Sequence, residues 1–131
     1  MASPKVALAA MAVIVAVAAL LPATASTASY TVGDDSGWDV GVDYRAWASG
    51  RVNCRKPPHF SLEFLYSLGE AEHNVVLVDA QSFGACSVPS NAPTLTTDDD
   101  KVSLTQAGQW LFICGIEGHC QDGMKLAVNV H

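Results

Sequence analysis

Trp110-Leu-Phe-Ile-Cys114-Gly-Ile-Glu-Gly-His119-Cys120-Gln-Asp-Gly-Met124-Lys-Leu-Ala-Val-Asn-Val130 is the stretch on which the reading of this chain turns. Its ends, Trp110 to Cys114 and Lys125 to Val130, are short apolar runs that read as strands. Between them Gly115, Gly118 and Gly123 allow a tight loop. Two strands joined in this way return Cys114 and Met124 to the same end of a sheet. Along the loop a thiol (Cys114), an imidazole (His119) and a thioether (Met124) follow at intervals of five residues.

Thiolate and thioether are soft donors and imidazole is borderline, so the group suits copper far better than calcium or magnesium. Two His, one Cys and a distant Met form the ligand set of a blue-copper electron-transfer centre. The loop supplies one His. His73, which opens the strand-like run Asn74-Val75-Val76-Leu77-Val78, is the best source of the second. Taken singly, each residue has a plainer reading. Cys114 fits a disulfide with Cys120 or Cys54, Met124 a core side chain, and His73 the end of a strand. Zinc held by His73, Cys114, His119 and Cys120 is another alternative, but it needs Cys120 free in an oxidising compartment. The joint spacing favours copper. A filled His/Cys/His/Met set also leaves no open position for substrate, which argues against an enzyme.

With 131 residues the chain has room for one domain and a processed end. Val6 to Leu21 is uncharged and rich in Ala and Val, follows Lys5 and precedes the small-residue site Ala23-Thr24-Ala25. That is the pattern of a secretory signal over residues 1–25, with cleavage after Ala25 or Ala28. The run is short for a membrane span. The domain that remains, residues 29–131, is long enough for one modest core. The net charge of −6 becomes −7 once Lys5 is removed. Such a surface repels nucleic acid and favours a cationic partner or a small redox molecule. Four Cys in a secreted chain imply at least one disulfide.

Elsewhere the chain reads as short strands broken by Gly, Pro and Asp turns. Ser29 to Val32 is one strand, and Phe60, Leu62, Phe64 and Tyr66 alternate with Ser61 and Glu63 in another. Val102 and Leu104 alternate with Ser103 and Thr105. Asp43 to Gly50 begins with a capping Asp and stops at Gly, as one or two turns of helix do. Nothing beyond it shows helical periodicity. Trp38, Tyr44 and Trp47 are assigned to the core. The run Asp98-Asp99-Asp100 reads as a solvated turn, because no spaced ligand pattern accompanies it. His59 and His131 have no ligand-like company and are expected at the surface. The whole is an all-β sandwich or barrel with one or two short helices.

On these residues the chain resembles the phytocyanins, the plant branch of the cupredoxins. The resemblance rests on Tyr30-Thr31-Val32-Gly33-Asp34 with Gly37-Trp38, on Asp43-Tyr44 with Trp47-Ala48-Ser49-Gly50, and on His73-Asn74-Val75-Val76. It continues through Phe112-Ile113-Cys114-Gly115, Gly118-His119-Cys120 and Gly123-Met124-Lys125, and so covers nearly all of residues 29–131. It implies a Greek-key β-sandwich holding one type 1 copper, with electron transfer as the activity. His73, Cys114 and His119 would be the equatorial ligands and Met124 the weak axial one. The family disulfide would join Cys86 to Cys120, and Asn74 would tie the two ligand-bearing segments together by hydrogen bonds.

One segment departs from the family. In Val52-Asn53-Cys54-Arg55-Lys56-Pro57-Pro58-His59, two Pro, two cations and a further Cys replace the usual apolar residue and Val-Gly-Asp turn. Pro57 and Pro58 cannot donate to a ladder, so pairing is expected to break there. Cys54 has no family partner and is either free, cross-linked to another chain, or a competitor for Cys86 or Cys120. Absent such a cross-link a monomer is expected. The chain stops at His131 without a Pro/Ser-rich stalk or hydrophobic tail, so the expectation is a secreted, extracellular protein with no lipid anchor. This compact layout resembles the plantacyanin-like, or basic blue, members, whereas the acidic charge does not. A different reading is an extracellular cell-wall or signalling module in which copper is structural or absent.

Overall fold

The alternation of Phe60, Leu62 and Phe64 with polar neighbours produces strand β2 (Phe60–Leu65), whose side chains are buried and half-buried in turn. The computed structural model describes residues 28–51, 60–67 and 71–131; the leader-like residues 1–25, Cys54 and His59 lie outside them. The other strands are β1 (Ala28–Thr31), β3 (Val75–Leu77), β4 (Thr94–Leu95), β5 (Asp99–Leu104), β6 (Gly108–Ile113) and β7 (Lys125–Val130). They form two sheets, ordered β1-β2-β5 and β4-β3-β6-β7. Strand β1 runs parallel to β2, and the remaining pairs are antiparallel. The expected all-β sandwich is present. Among the described residues it carries two short α-helices, α1 (Tyr44–Arg51) and α2 (Ala80–Ala85).

Between the sheets lies one apolar core, in which Trp38, Tyr44, Phe64 and Phe112 are almost wholly buried. Their rings stack in series: Trp38 lies 4.9 Å from Tyr44 and 5.0 Å from Phe64, and Phe64 lies 4.9 Å from Phe112. Such offset and edge-on pairs add to the burial of the rings themselves. Helix α1 is capped by the preceding Asp43, whose Oδ1 accepts the Ala46 N–H at 3.0 Å, and it buries Tyr44, Trp47 and Ala48.

The continuous apolar run at β3 has a different cause from the alternating β2. Val75 joins the main core, whereas Val76 and Ile113 face a second cluster with Cys120, flanked by Phe83 of α2. A strand buried on both faces loses the polar alternation. Helix α2 shows no helical periodicity in the sequence, and its signal is the cap Asp79, whose side chain accepts the Ser82 N–H at 2.8 Å.

The acidic run corrects an expectation. Asp99 and Asp100 belong to β5, and Asp100 is buried. Asp100 accepts hydrogen bonds from the Tyr66 hydroxyl and from Thr97 Oγ1, so a buried carboxylate replaces the expected solvated turn.

Candidate metal centre

Strand β6 runs toward one pole of the sandwich and β7 runs back from it, with Ile113 paired to Lys125. Cys114 directly follows β6 and Met124 directly precedes β7. The Cys114 N–H donates to the Met124 carbonyl at 3.0 Å, and the Met124 N–H donates to the His119 carbonyl at 3.0 Å. The loop thus closes on itself with backbone bonds alone. Gly118 and Gly123 take positive φ values of 85° and 99°, as the tight turn requires. Gly115 serves a close approach instead: a Cβ there would press on Val76, Val88 and the Asn74 amide.

His73 reaches the same pole from the residues before β3. Its Nδ1 lies 3.1 Å from His119 Nδ1 and 3.8 Å from Cys114 Sγ, and His119 Nδ1 lies 3.5 Å from that sulfur. Asn74 Oδ1 accepts the Gly115 N–H at 2.6 Å and joins the two segments, as expected of it. Cys114 and His73 are buried, His119 is half-buried, and the Met124 side chain is fully enclosed in the core that also holds Cys114. His131 is exposed.

The point equidistant from the two nitrogens and the sulfur lies about 2.0 Å from each, at the short end of the ~2.0–2.3 Å that imidazole and thiolate donors adopt around a metal ion. The donor set is soft, and the buried Met124 thioether closes the same loop. Cys120 is bonded to Cys86, with Cα atoms 5.6 Å apart, so it cannot supply the fourth ligand to zinc. Cys114 is a free thiol, which removes its disulfide alternatives. Burial pushes that thiol above its ordinary pKa. The Asn74 and Ile116 backbone N–H groups, which favour the thiolate, oppose this only in part. A bound cation would offset the cost of the buried thiolate.

One neighbour of the site had no signal in the sequence. His73 Nε2 lies 3.0 Å from Asp39 Oδ1, across 34 positions of chain. Asp39 in Gly37-Trp38-Asp39-Val40-Gly41 reads as an ordinary turn residue, and only the tertiary structure brings it to the imidazole.

Residues 38–124 match the plastocyanin-like domain family. A blue copper protein of Petunia hybrida is 39% identical over 113 residues, covering 83% of this chain and 41% of that protein. The basic blue protein of Cucumis sativus is 36% identical over 102 residues, covering 78% of this chain and 98% of the relative. The chain spans 41% to 54% of the length of the blue copper proteins of Petunia hybrida and Pisum sativum. Among solved structures, the blue copper protein known as cucumber basic protein superposes with a TM-score of 0.67 at 36% identity, over 79% of this chain and 100% of its own. With His73, Cys114, His119 and Met124 arranged as a type 1 copper site on a cupredoxin-like sandwich, the chain belongs to the phytocyanins, within the plastocyanin-like blue copper proteins.

Proposed function

We propose that this protein is an electron carrier in which His73, Cys114, His119 and Met124 would hold copper. The observation that carries the reading is the convergence of two imidazole nitrogens and one free thiol, from separate segments, on a single point of metal-ligand size. Bound copper supplies a one-electron couple. The chain's part is to hold its donors still. Cys114 is fixed by the Met124 carbonyl, and its neighbour Gly115 by Asn74. His119 is fixed by the disulfide one residue on. A scaffold that does not rearrange keeps the cost of changing oxidation state low. The half-buried His119 offers the exit toward a partner, and a Met124 thioether ligand, rather than an amide oxygen, would favour the reduced metal.

Residues 1–25 are proposed as a secretory signal and 29–131 as the working domain. The Cys86–Cys120 disulfide supports an oxidising, extracellular location. Among the described residues no helix is long and apolar enough to cross a membrane. The partner is proposed to be cationic or a small molecule, on the strength of the net charge, −6 for the full chain and one more negative without Lys5.

Adding Cu(II) to the folded chain tests the reading. The expected product is intensely blue and cycles reversibly with external reductants and oxidants. A coloured but redox-inert product would instead support an extracellular module with structural copper, and a colourless one would remove the copper site.

A further inference from the structure

We propose that Asp39 is a positioning residue of the copper centre, its carboxylate accepting the Nε2–H of His73 so that Nδ1 presents its lone pair to the metal. The inference rests on the copper reading above. The His73 side chain is 1% exposed, so water has little access to Nε2, whereas the Asp39 side chain is 42% exposed and tied to the turn. Oδ1 of Asp39 also accepts the Val40 N–H at 2.8 Å, which orients the carboxylate from behind.

The turn itself is held firmly. The Tyr44 hydroxyl accepts the Asp39 N–H at 2.7 Å and lies within donating distance of the carbonyls of Gly37 (2.8 Å) and Asp39 (2.9 Å). The Trp38 indole N–H donates to the Asn74 carbonyl at 2.8 Å, one residue beyond His73. The segment before α1 is therefore a third support for the site, beside the metal loop and the residues before β3. A carboxylate bonded to the far nitrogen of a ligand imidazole fixes its tautomer and raises its basicity. Its negative charge also favours the more highly charged oxidation state of the metal. The second effect is partly screened, because Asp39 faces solvent.

Two substitutions separate the contact from the charge. Asp39→Asn keeps an acceptor oxygen but removes the charge. It should shift the preference between Cu(II) and Cu(I) toward Cu(I) by about tenfold, which is ~59 mV upward for a one-electron couple. Asp39→Ala removes both and should also lower Cu(II) affinity by ~10–100-fold. Asp43→Asn removes the same charge from a nearby position without touching His73, and should leave the potential unmoved. In the copper-free protein, nitrogen NMR of the His73 ring should find the proton on Nε2 in the wild type and redistributed between the two nitrogens in Asp39→Ala. An unchanged tautomer in Asp39→Ala, or a shift in Asp43→Asn as large as in Asp39→Asn, would overturn the inference. The ring measurement needs no copper. A wild-type protein that fails to turn blue therefore sinks the electron-carrier reading and leaves the Asp39 contact to be judged on its own.

Discussion

Cys114 sits where burial and hydrogen bonding pull in opposite directions, and burial wins, so the thiol's pKa is held above its ordinary value. Serine in its place fills nearly the same volume but offers no thiolate. Cys114→Ser should abolish the visible band on copper addition, while circular dichroism and the melting transition stay close to wild type. A retained band would mean that the sulfur is not a ligand. The four proposed ligands were legible in the sequence because donor type and spacing are properties of the residues themselves. Asp39 and Asp100 were not. A carboxylate in a Gly-rich turn or an acidic run carries no mark of which side chain it will meet, and each meets a ring 34 residues away.

Helix α2 shows how a six-residue element serves a neighbouring loop. Its cap Asp79 has its pKa lowered by the Ser82 N–H, so the cap works at neutral pH and is lost only as pH falls through that lowered value. At its other end Cys86, at φ 53°, turns the chain and reaches Cys120 across a separation of 34 residues. Closing a loop of that size contributes roughly 4 kcal/mol in the chain-entropy view. Replacing both Cys86 and Cys120 by Ser should lower unfolding free energy by ~2–5 kcal/mol in a denaturant titration. An unchanged midpoint would show that the loop is held by its backbone bonds alone. Strands β2 and β5 were readable from alternation, β3, β6 and β7 from apolar runs, and the disulfide from the family resemblance, whereas the two-residue β4 left no sign. The helix was missed because six residues are too few to display a period.

At the level of the whole molecule, charge and core make separate statements. The net charge of −6 predicts faster electron exchange with a cationic metal-ammine reagent than with an anionic metal-cyanide one, the gap narrowing as salt is added. Stopped-flow rates at two ionic strengths check this, and equal rates at low salt would refute it. The core predicts alkaline sensitivity. Burial raises the pKa of Tyr44 and Tyr66 well above the usual 10.0, and the neighbouring Asp100 adds to the shift at Tyr66. A raised pKa means that the folded state holds its proton longer. The stability this represents is complete below about pH 10 and drains away as pH climbs toward the folded-state values. Thermal unfolding followed from neutral to strongly alkaline pH should show that loss, and Tyr66→Phe should blunt it.

The strand directions have one more consequence. Strand β7 leaves the donor pole at Lys125 and ends at Val130, and β1 begins opposite Phe60, at the end of β2 remote from Tyr66 and His73. With about 3.3 Å per residue, the last strand residue stands ~17 Å from where that strand starts. A tether, label or electrode linkage attached beyond His131 would therefore grip the protein by its blunt end. The imidazole rim would still face whatever approaches from solution.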